Sequence, residues 1–349
     1  MSSLQDNYRA IIITSLKEEV PGVKTFTVRN DDGSLINYLS GQFITLIFNH
    51  HGKEDRRSFS ISSCHVNNEP LSFTVKRIDN GAYSRWLHDK CTVGTVLYTT
   101  GAAGLFTIPE QTDAKQFFFF AAGIGITPIY SLIKALLLQH PDINVVLIYS
   151  NRTPDEVVFY EELNALRLLH KDHFRIEFLF SNSFNLARAR LNKALVRQIL
   201  GEYATEDISQ LLFYVCGPFE YMRMAIYALE EHGVNDNHIR KENFNVTERP
   251  VLQSAPADIS PHKVTIIHNG HQQTIISEYP DTILKSAKKA GISLPYSCEV
   301  GRCGSCAARC TIGKVWHSYN EVLMDTDLRH GSILTCTAYP VDGDITIEV

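Results

Sequence analysis

Four cysteines near the C-terminus constrain this chain more than any other feature. Residues 298–306 are Cys-Glu-Val-Gly-Arg-Cys-Gly-Ser-Cys, a C-x4-C-x2-C arrangement, and Cys336 follows after a gap of 29 residues. Gly301 and Gly304 let such a loop wrap tightly around a metal centre, because glycine adopts positive φ at little cost. A structural zinc site normally pairs two short Cys-x2–4-Cys segments. One three-cysteine loop with one distant cysteine therefore favours a 2Fe-2S cluster over zinc. The predicted ligands are Cys298, Cys303, Cys306 and Cys336.

Three further segments near this loop resemble a plant-type ferredoxin. They are a hairpin (Lys263–Ser277), a short helix (Pro280–Gly291) and a closing strand (Asp344–Val349). Alternating residues around Asn269-Gly270 predict the hairpin, and Asp281 or Thr282 can cap the helix. The resemblance implies a β-grasp ferredoxin domain, in which Cys310 matches no ligand position and is predicted to be a free core thiol.

Length and charge limit the class of protein. A chain of 349 residues with 44% apolar residues should form two or three domains. The net charge of −5 and the lack of a basic run argue against a nucleic-acid partner. The first residues lack the basic start and apolar core of a signal peptide, and the apolar stretch Phe117–Ile126 is too short to span a bilayer. We therefore expect a cytoplasmic protein with no membrane partner.

The first hundred residues alternate as short strands, which predicts a small antiparallel β-barrel. The predicted strands are Ile11–Ser15, Lys24–Arg29, Phe43–Phe48, Ser58–Ser62, Leu71–Lys76 and Val96–Thr100, with one helix at Tyr83–Asp89. Residues 57–60, Arg-Ser-Phe-Ser, resemble the R-x-Y-S flavin motif of the ferredoxin reductase superfamily, with Phe in place of Tyr. The resemblance assigns Arg57 to the flavin pyrophosphate, Phe59 to stacking on the isoalloxazine and Ser60 to a hydrogen bond near flavin N5.

A second segment follows where that motif requires it. Residues 75–84 place Gly81 and Ser84 at the start of the predicted helix, where unpaired N–H groups bind phosphate. A guanidinium suits a diphosphate, and an aromatic ring suits a flavin. These features predict bound FAD. The predicted FAD-binding residues are Arg57, Ser58, Phe59, Ser60, Val75, Lys76, Gly81 and Ser84.

From Lys115 onward, apolar strands alternate with helices, which predicts a doubly wound α/β domain with a parallel sheet. The predicted strands are Gln116–Ala122, Asn144–Ser150, Arg175–Phe180 and Leu212–Cys216, and the later helices are Asp155–Leu169 and Pro218–His232. A first helix follows the turn at residues 123–128 and runs to Gln139. The expected fold is thus multidomain: an antiparallel β-barrel, a doubly wound α/β domain and a β-grasp domain.

Two turns of the α/β domain are candidate NAD(P)H-binding segments. Residues 123–128, Gly-Ile-Gly-Ile-Thr-Pro, resemble the nucleotide-binding turn of ferredoxin reductases. Cys216 ends a predicted strand, and in that family the matching cysteine lies beside nicotinamide C4 and flavin N5. A buried core cysteine is the alternative. The resemblance makes Cys216 and Ser60 the predicted catalytic residues, and it assigns Glu242 and Phe244 to covering the flavin. The remaining predicted binding residues are Gly123, Gly125, Thr127, Pro128, Gly217 and Pro218.

The order of these parts resembles single-chain oxygenase reductases with a C-terminal ferredoxin, such as those of phenylacetyl-CoA epoxidase, ketosteroid hydroxylase and hybrid-cluster protein. The implied domains are 1–110 for FAD, 111–248 for NAD(P)H, a linker at 249–262 and the ferredoxin at 263–349. The resemblance implies electron transfer from NAD(P)H through FAD and the cluster to a separate acceptor, with an oxygenase of phenylacetyl-CoA epoxidase type favoured. Another hydroxylase, a desaturase or hybrid-cluster protein remains an alternative acceptor. A non-enzymatic redox sensor is the alternative of a different class.

The nucleotide preference depends on the residues expected near the adenosine ribose. Members that use NADPH often carry Ser-Arg after the third strand of this domain, whereas this chain has Ser181-Asn182. A 2′-phosphate needs a nearby cation, so NADH is favoured. Arg152, Arg188 and Arg190 keep NADPH open.

Overall fold

The structure is a computed structural model that describes residues 8–50, 53–109, 112–244, 255–268 and 270–349. The described residues form two compact units: one is Arg9–Phe244, and the other contains the residues from 255 onward together with Tyr8. The predicted boundary at 110/111, residues 249–254 of the predicted linker and Asn269 of the predicted hairpin turn lie outside the described residues. The exact domain boundaries therefore stay predictions.

The first part of the Arg9–Phe244 unit is an antiparallel β-barrel of six strands and one helix. These are β1 (Arg9–Val20), β2 (Val23–Asn30), β3 (Phe43–His50), β4 (Lys53–Ser60), β5 (Ser72–Lys76), α1 (Ala82–Lys90) and β6 (Val96–Ala103). The strand order is β4-β3-β6-β1-β2-β5, and a bridge between Ile61 and Phe73 joins the two edges. Phe26 and Phe73 stack in the core with their ring centroids 5.2 Å apart. The predicted barrel is confirmed.

The second part is a parallel five-stranded sheet with helices on both faces. Its elements are β7 (Gln116–Ala122), α2 (Ile126–Gln139), β8 (Asn144–Asn151), α3 (Tyr160–Leu169), β9 (Phe174–Phe180), α4 (Leu186–Ala189), α5 (Lys193–Tyr203), β10 (Leu211–Cys216), α6 (Phe219–Glu231) and β11 (Ile239–Glu242). The strand order is β11-β10-β7-β8-β9. Phe117 and Phe119 pack into the core on one face, and Phe118 and Phe120 into the core on the other. Burial on both faces explains the uninterrupted apolar run.

The predicted start of one helix in this part was wrong. The helix expected from Asp155 begins only at Tyr160, because Phe159 has a φ of 61° and interrupts it. Phe159 is buried and stacks on Tyr130, with their ring centroids 4.4 Å apart. Tertiary packing of one aromatic ring thus overrides the helical pattern of the sequence.

The C-terminal unit has a mixed five-stranded sheet and two short helices. Its elements are β12 (His262–His268), β13 (His271–Ser277), α7 (Ile283–Lys289), β14 (Ala307–His317), α8 (Asp325–Arg329), β15 (Ser332–Leu334) and β16 (Ala338–Glu348). The order is β13-β12-β16-β14-β15, with β12 and β16 parallel, which is the expected β-grasp arrangement. Thr282 caps α7, since its hydroxyl accepts a hydrogen bond of 3.2 Å from Lys285 N–H. Among the described residues, no helix combines the length and the apolar character needed to cross a bilayer.

Candidate functional site

A hydroxyl, a carboxyl and a thiol lie together at the carboxyl edge of the parallel sheet. Ser60, the last residue of β4, donates a hydrogen bond of 2.6 Å from Oγ to Oε1 of Glu242. Glu242 ends β11 and pairs in register with Cys216, which ends β10. Ligands of doubly wound domains bind at this edge. The fold therefore brings together the two predicted catalytic residues, Cys216 and Ser60, and adds Glu242 to them.

The Glu242 carboxyl has an unusual protonation state. Burial of the carboxyl raises the pKa of Glu242 to about 8, although the hydrogen bond from Ser60 opposes that shift. The residue as a whole is half-buried, but Oε2 is sealed from water and has no hydrogen-bond partner in the described part of the chain. At neutral pH the carboxyl is therefore mainly protonated, and it can donate a hydrogen bond or a proton.

The Cys216 thiol is held in its protonated form. It is fully buried, and burial together with the nearby Glu242 carboxyl raises its pKa well above the ordinary thiol value. A thiol in this state is a poor nucleophile, because the thiolate is the reactive form. Cys216 is therefore suited to shaping this edge of the sheet and to positioning a ligand there, and not to covalent chemistry.

Glycines allow the turn at residues 123–128 to pack directly against Cys216. A Cβ atom on Gly125 would lie 2.3 Å from the Cys216 carbonyl oxygen, and one on Gly217 would lie 2.9 Å from Ala122 Cβ. The predicted nucleotide residues Thr127 and Pro128 are buried in the first turn of α2, where Thr127 Oγ1 donates to the Ile124 carbonyl. These residues form the support beneath the site.

A cleft of about 850 Å³ opens beside this edge, within the Arg9–Phe244 unit. Its walls include Lys76, Gly123 and Pro218, which were predicted to bind cofactor. Farther along the walls lie Arg152 and Arg190. A cleft at the strand ends that carries several cations suits a pyridine dinucleotide, whose pyrophosphate is anionic.

The flavin motif presents its charged and aromatic groups on β4. Arg57 is exposed, and its guanidinium carbon lies 4.8 Å from the centroid of the Tyr83 ring. Tyr83 in turn donates a hydrogen bond to Asp55. Phe59 is half-buried, with its ring centroid 5.8 Å from that of Phe73. An exposed guanidinium on the same strand as a half-buried aromatic ring fits the diphosphate and the ring system of FAD.

The helix start that follows this motif is also suited to phosphate. Gly81 is the N-cap of α1, and no side chain caps the helix there. The buried Ser84 hydroxyl accepts from Ile78 N–H and donates to the Gly81 carbonyl, so it fixes the turn. The Val75 carbonyl is paired with His88 Nε2 at 2.8 Å. Ser84 and Val75 thus shape this site through the backbone. Phe244, at the end of the unit, is exposed.

The four predicted cluster cysteines lie together as two pairs. The Cys303 thiol donates a hydrogen bond to the Cys298 sulfur, which also accepts from backbone N–H groups, including Val300 at 3.5 Å. These contacts lower the pKa of Cys298 to about 6. Cys306 and Cys336 form a second hydrogen-bonded pair, and the charge of Cys298 acts on both of them.

This pairing fits two irons better than one zinc ion. Each iron of a 2Fe-2S cluster takes two cysteines, and the N–H groups around the loop can donate to sulfur. Cys310 lies apart on β14, where its Sγ is 3.3 Å from the Ile312 carbonyl oxygen.

The fold and these two sites define a flavin- and pyridine nucleotide-dependent oxidoreductase with a ferredoxin domain. An oxidoreductase FAD-binding domain matches residues 11–108, an oxidoreductase NAD-binding domain matches residues 119–226, and a 2Fe-2S iron-sulfur cluster binding domain matches residues 266–341. The ferredoxin reductase component of 3-ketosteroid-9-alpha-monooxygenase from Rhodococcus rhodochrous is 31% identical over 352 residues, covering 97% of each chain. The chain belongs to this family of oxygenase reductase components.

Other relatives cover the chain to a similar extent. The glycine betaine monooxygenase reductase subunit of Pseudomonas aeruginosa is 28% identical and covers 95% of this chain and 92% of its own. A component of 1,2-phenylacetyl-CoA epoxidase from Escherichia coli is 29% identical and covers 93% of this chain and 92% of its own. The crystal structure of phthalate dioxygenase reductase aligns over 100% of both chains, with a TM-score of 0.60 and 20% identity, and shows the shared fold. The predicted cofactors, FAD, NAD(P)H and a 2Fe-2S cluster, are confirmed at the level of domains.

We expect Glu242→Gln to remove a pH dependence of stability. The pKa of Glu242 rises from 4.5 to about 8 on folding, so unfolding releases a proton between these values. The contribution of this group to the free energy of unfolding should therefore be largest below pH 4.5 and should fall as the pH rises toward 8, by at most about 1.4 kcal/mol per pH unit. Urea unfolding across this range tests the effect. Glu161→Gln, at an exposed position on α3, is the control and should retain the wild-type slope. An equal slope in Glu242→Gln and wild type would contradict the raised pKa of Glu242.

Proposed function

We propose that this chain takes electrons from NADH and delivers them one at a time to a separate oxygenase. The observation that carries the proposal is the meeting of Ser60, Glu242 and Cys216 at the carboxyl edge of the parallel sheet, in a chain that also has two cysteine pairs. When bound, FAD accepts the hydride as a pair of electrons and the 2Fe-2S cluster carries single electrons onward.

The residues of the chain have separate parts in this reaction. Cys216 and the glycine turn beneath it would limit where the nicotinamide ring can lie. Because Gly125 has no Cβ atom, the turn packs directly against the Cys216 carbonyl. Arg57 and the uncapped start of α1 would hold the diphosphate of FAD. Glu242 and Ser60 form a hydrogen-bonded pair that can hold a proton at Oε2. Placement of reacting groups within a sealed site is a large part of catalysis.

We propose that the cluster is held by Cys298, Cys303, Cys306 and Cys336, with one iron on each of the two pairs. Plant-type clusters have potentials near about −400 mV, low enough to reduce the iron centres that activate O2. Free thiols persist in the cytoplasm, where this chain is expected to work.

The acceptor is proposed to be an oxygenase, and the phenylacetyl-CoA epoxidase type is the first candidate. The relatives that serve three different oxygenases are 28%, 29% and 31% identical, so sequence similarity alone does not select among them. The test is product formation by purified candidate oxygenases that receive NADH and this protein. We expect turnover that requires both proteins. Failure with every oxygenase, together with reduction of a hybrid-cluster protein or a desaturase, would reassign the acceptor.

The acceptor interface should be only modestly sensitive to salt. Residues 263–349 carry 8 Lys and Arg against 9 Asp and Glu, so the ferredoxin region is nearly neutral. Salt screens attraction between exposed charges at long range, and little such attraction is available here. Coupled turnover measured across an ionic-strength series should therefore decline slowly, and its collapse at moderate salt would show that charge dominates the interface.

We expect NADH to be preferred over NADPH. In the cleft, Arg152 Nη2 lies 2.5 Å from Oε1 of Glu156, so its charge is already matched by a carboxylate. A 2′-phosphate placed there would meet Glu156 as well as Arg152, and Asn182 supplies no further cation. Initial rates with both nucleotides should give a higher kcat/KM for NADH. Glu156→Gln should raise kcat/KM for NADPH by several-fold, and an unchanged ratio would contradict the role of this pair.

A further inference from the structure

A short segment of the C-terminal unit clamps the cysteine loop from outside. Glu321 N–H donates a hydrogen bond of 3.1 Å to the Gly301 carbonyl. Gly301 has a φ of 75°, and a Cβ atom there would lie 2.9 Å from the Tyr319 carbonyl oxygen. Residues 319–321 therefore lie directly against the loop, between the predicted ligands Cys298 and Cys303. Any side chain at position 301 would push the two segments apart.

An ion pair with little access to water joins the same two segments. Arg302 Nε lies 2.8 Å from Glu321 Oε2, and the two side chains are 10% and 13% exposed. Tyr319 donates a hydrogen bond of 2.7 Å from its hydroxyl to the same carboxylate oxygen. Arg302 directly precedes Cys303, and its backbone N–H donates to the Cys298 sulfur. One positive and one negative charge are thus fixed against the loop that carries the predicted ligands Cys298 and Cys303.

Charges in such a position act on electron transfer more strongly than surface charges do. Reduction of a 2Fe-2S cluster adds one electron and makes the cluster one unit more negative. A nearby positive charge favours that step and a nearby negative charge opposes it, and both effects grow when water is excluded. Net charge and hydrogen bonds near the sulfurs are recognised determinants of cluster potential.

We propose that the Arg302–Glu321 pair sets the reduction potential of the C-terminal cluster, with Glu321 cancelling the charge of Arg302. Both are positioning residues, which act on electron flow through the cluster and its loop. The proposal rests on the cluster site proposed above. Arg302 without its partner would make the cluster easier to reduce, and Glu321 without its partner would make it harder to reduce.

The test is an anaerobic redox titration of the full-length holoprotein, followed by the electron paramagnetic resonance signal of the reduced cluster. Glu321→Gln should shift the potential to a more positive value, and Arg302→Gln to a more negative one. The double variant removes both charges and should return close to the wild-type value, because the two effects cancel. Arg302→Lys keeps the charge and should stay near wild type.

Glu299→Gln is the matched control. Glu299 follows Cys298 directly, but its side chain is 49% exposed and pairs with Lys288 at 2.8 Å. The same chemical change at this position should give a clearly smaller shift than Glu321→Gln, because water screens the exposed charge. Equal shifts in the two variants would overturn the claim that exclusion of water gives the Arg302–Glu321 pair its effect.

Two further outcomes would overturn the proposal. Potentials that move in the same direction in both single variants would indicate a loosened, hydrated loop in place of an electrostatic effect. An unchanged potential in Glu321→Gln would show that the pair only holds the loop. Iron and acid-labile sulfide are measured in every sample. If Arg302→Gln lacks a cluster, the potentials of Glu321→Gln and Arg302→Lys test the proposal. It then requires a more positive potential in the first variant and a value near wild type in the second. Wild-type protein without iron and sulfide would instead refute the cluster site itself.

Discussion

Cys303→Ala should yield a protein that binds FAD but contains no acid-labile sulfide and drives no oxygenase. Cys303 is the middle cysteine of the loop and pairs with Cys298 by a thiol hydrogen bond. In the proposed cluster its loss would remove half of the protein ligands of one iron. The cysteine loop and the flavin site lie in separate compact units, so flavin binding should be unaffected. Iron and sulfide analysis, flavin content and NADH-driven oxygenase turnover measure the three properties. Turnover should fall to background, and reduction of the flavin by NADH should continue at the wild-type rate.

Cys310→Ala is the matched control for this variant. Cys310 belongs to the same unit, four residues beyond Cys306, but it lies on β14 beside the Ile312 carbonyl. It should keep its full content of iron and sulfide and at least most of its turnover. Loss of the cluster in Cys310→Ala together with its retention in Cys303→Ala would show that Cys310, and not Cys303, is a cluster ligand. One zinc ion and no sulfide in the wild-type protein, prepared without oxygen, would refute the iron–sulfur assignment.

Regular patterns explain which parts of the fold the sequence predicts. The barrel strands alternate because each has one face on a core, and the residues 117–120 are all Phe because β7 is buried on both faces. Strand β14 was not predicted, for a related reason. Its pairing with β16 shifts register on both sides of Ile312, and Gly313 takes a φ of 89°. Such bulges break the period of two that identifies a strand.

Some residues of the candidate sites are marked by local sequence features, whereas others come together only through long-range contacts. Cysteine spacing is local, so the four cluster residues are recognisable in the sequence. The contact of Ser60 with Glu242 spans 182 residues and depends on the order of strands in two sheets. The family resemblance assigned Glu242 only to covering the flavin. The strand that Glu242 ends has the sequence Ile-Arg-Lys-Glu, so no local pattern indicated that its carboxyl would be buried. The Arg302–Glu321 pair had no local signal either.

Cys216→Ala should slow the reduction of the flavin by NADH by about ten-fold or more, because small displacements of reacting groups are costly. The variant removes one fully buried sulfur at the point where the Gly125 turn contacts β10, so the nicotinamide ring would gain freedom to move. Flavin content should stay at the wild-type level. Cys64→Ala is the control, because Cys64 is equally buried but lies in the barrel outside any predicted motif. Stopped-flow absorbance in the flavin band measures both variants. A wild-type rate in Cys216→Ala, or an equal loss in Cys64→Ala, would assign Cys216 to the core alone.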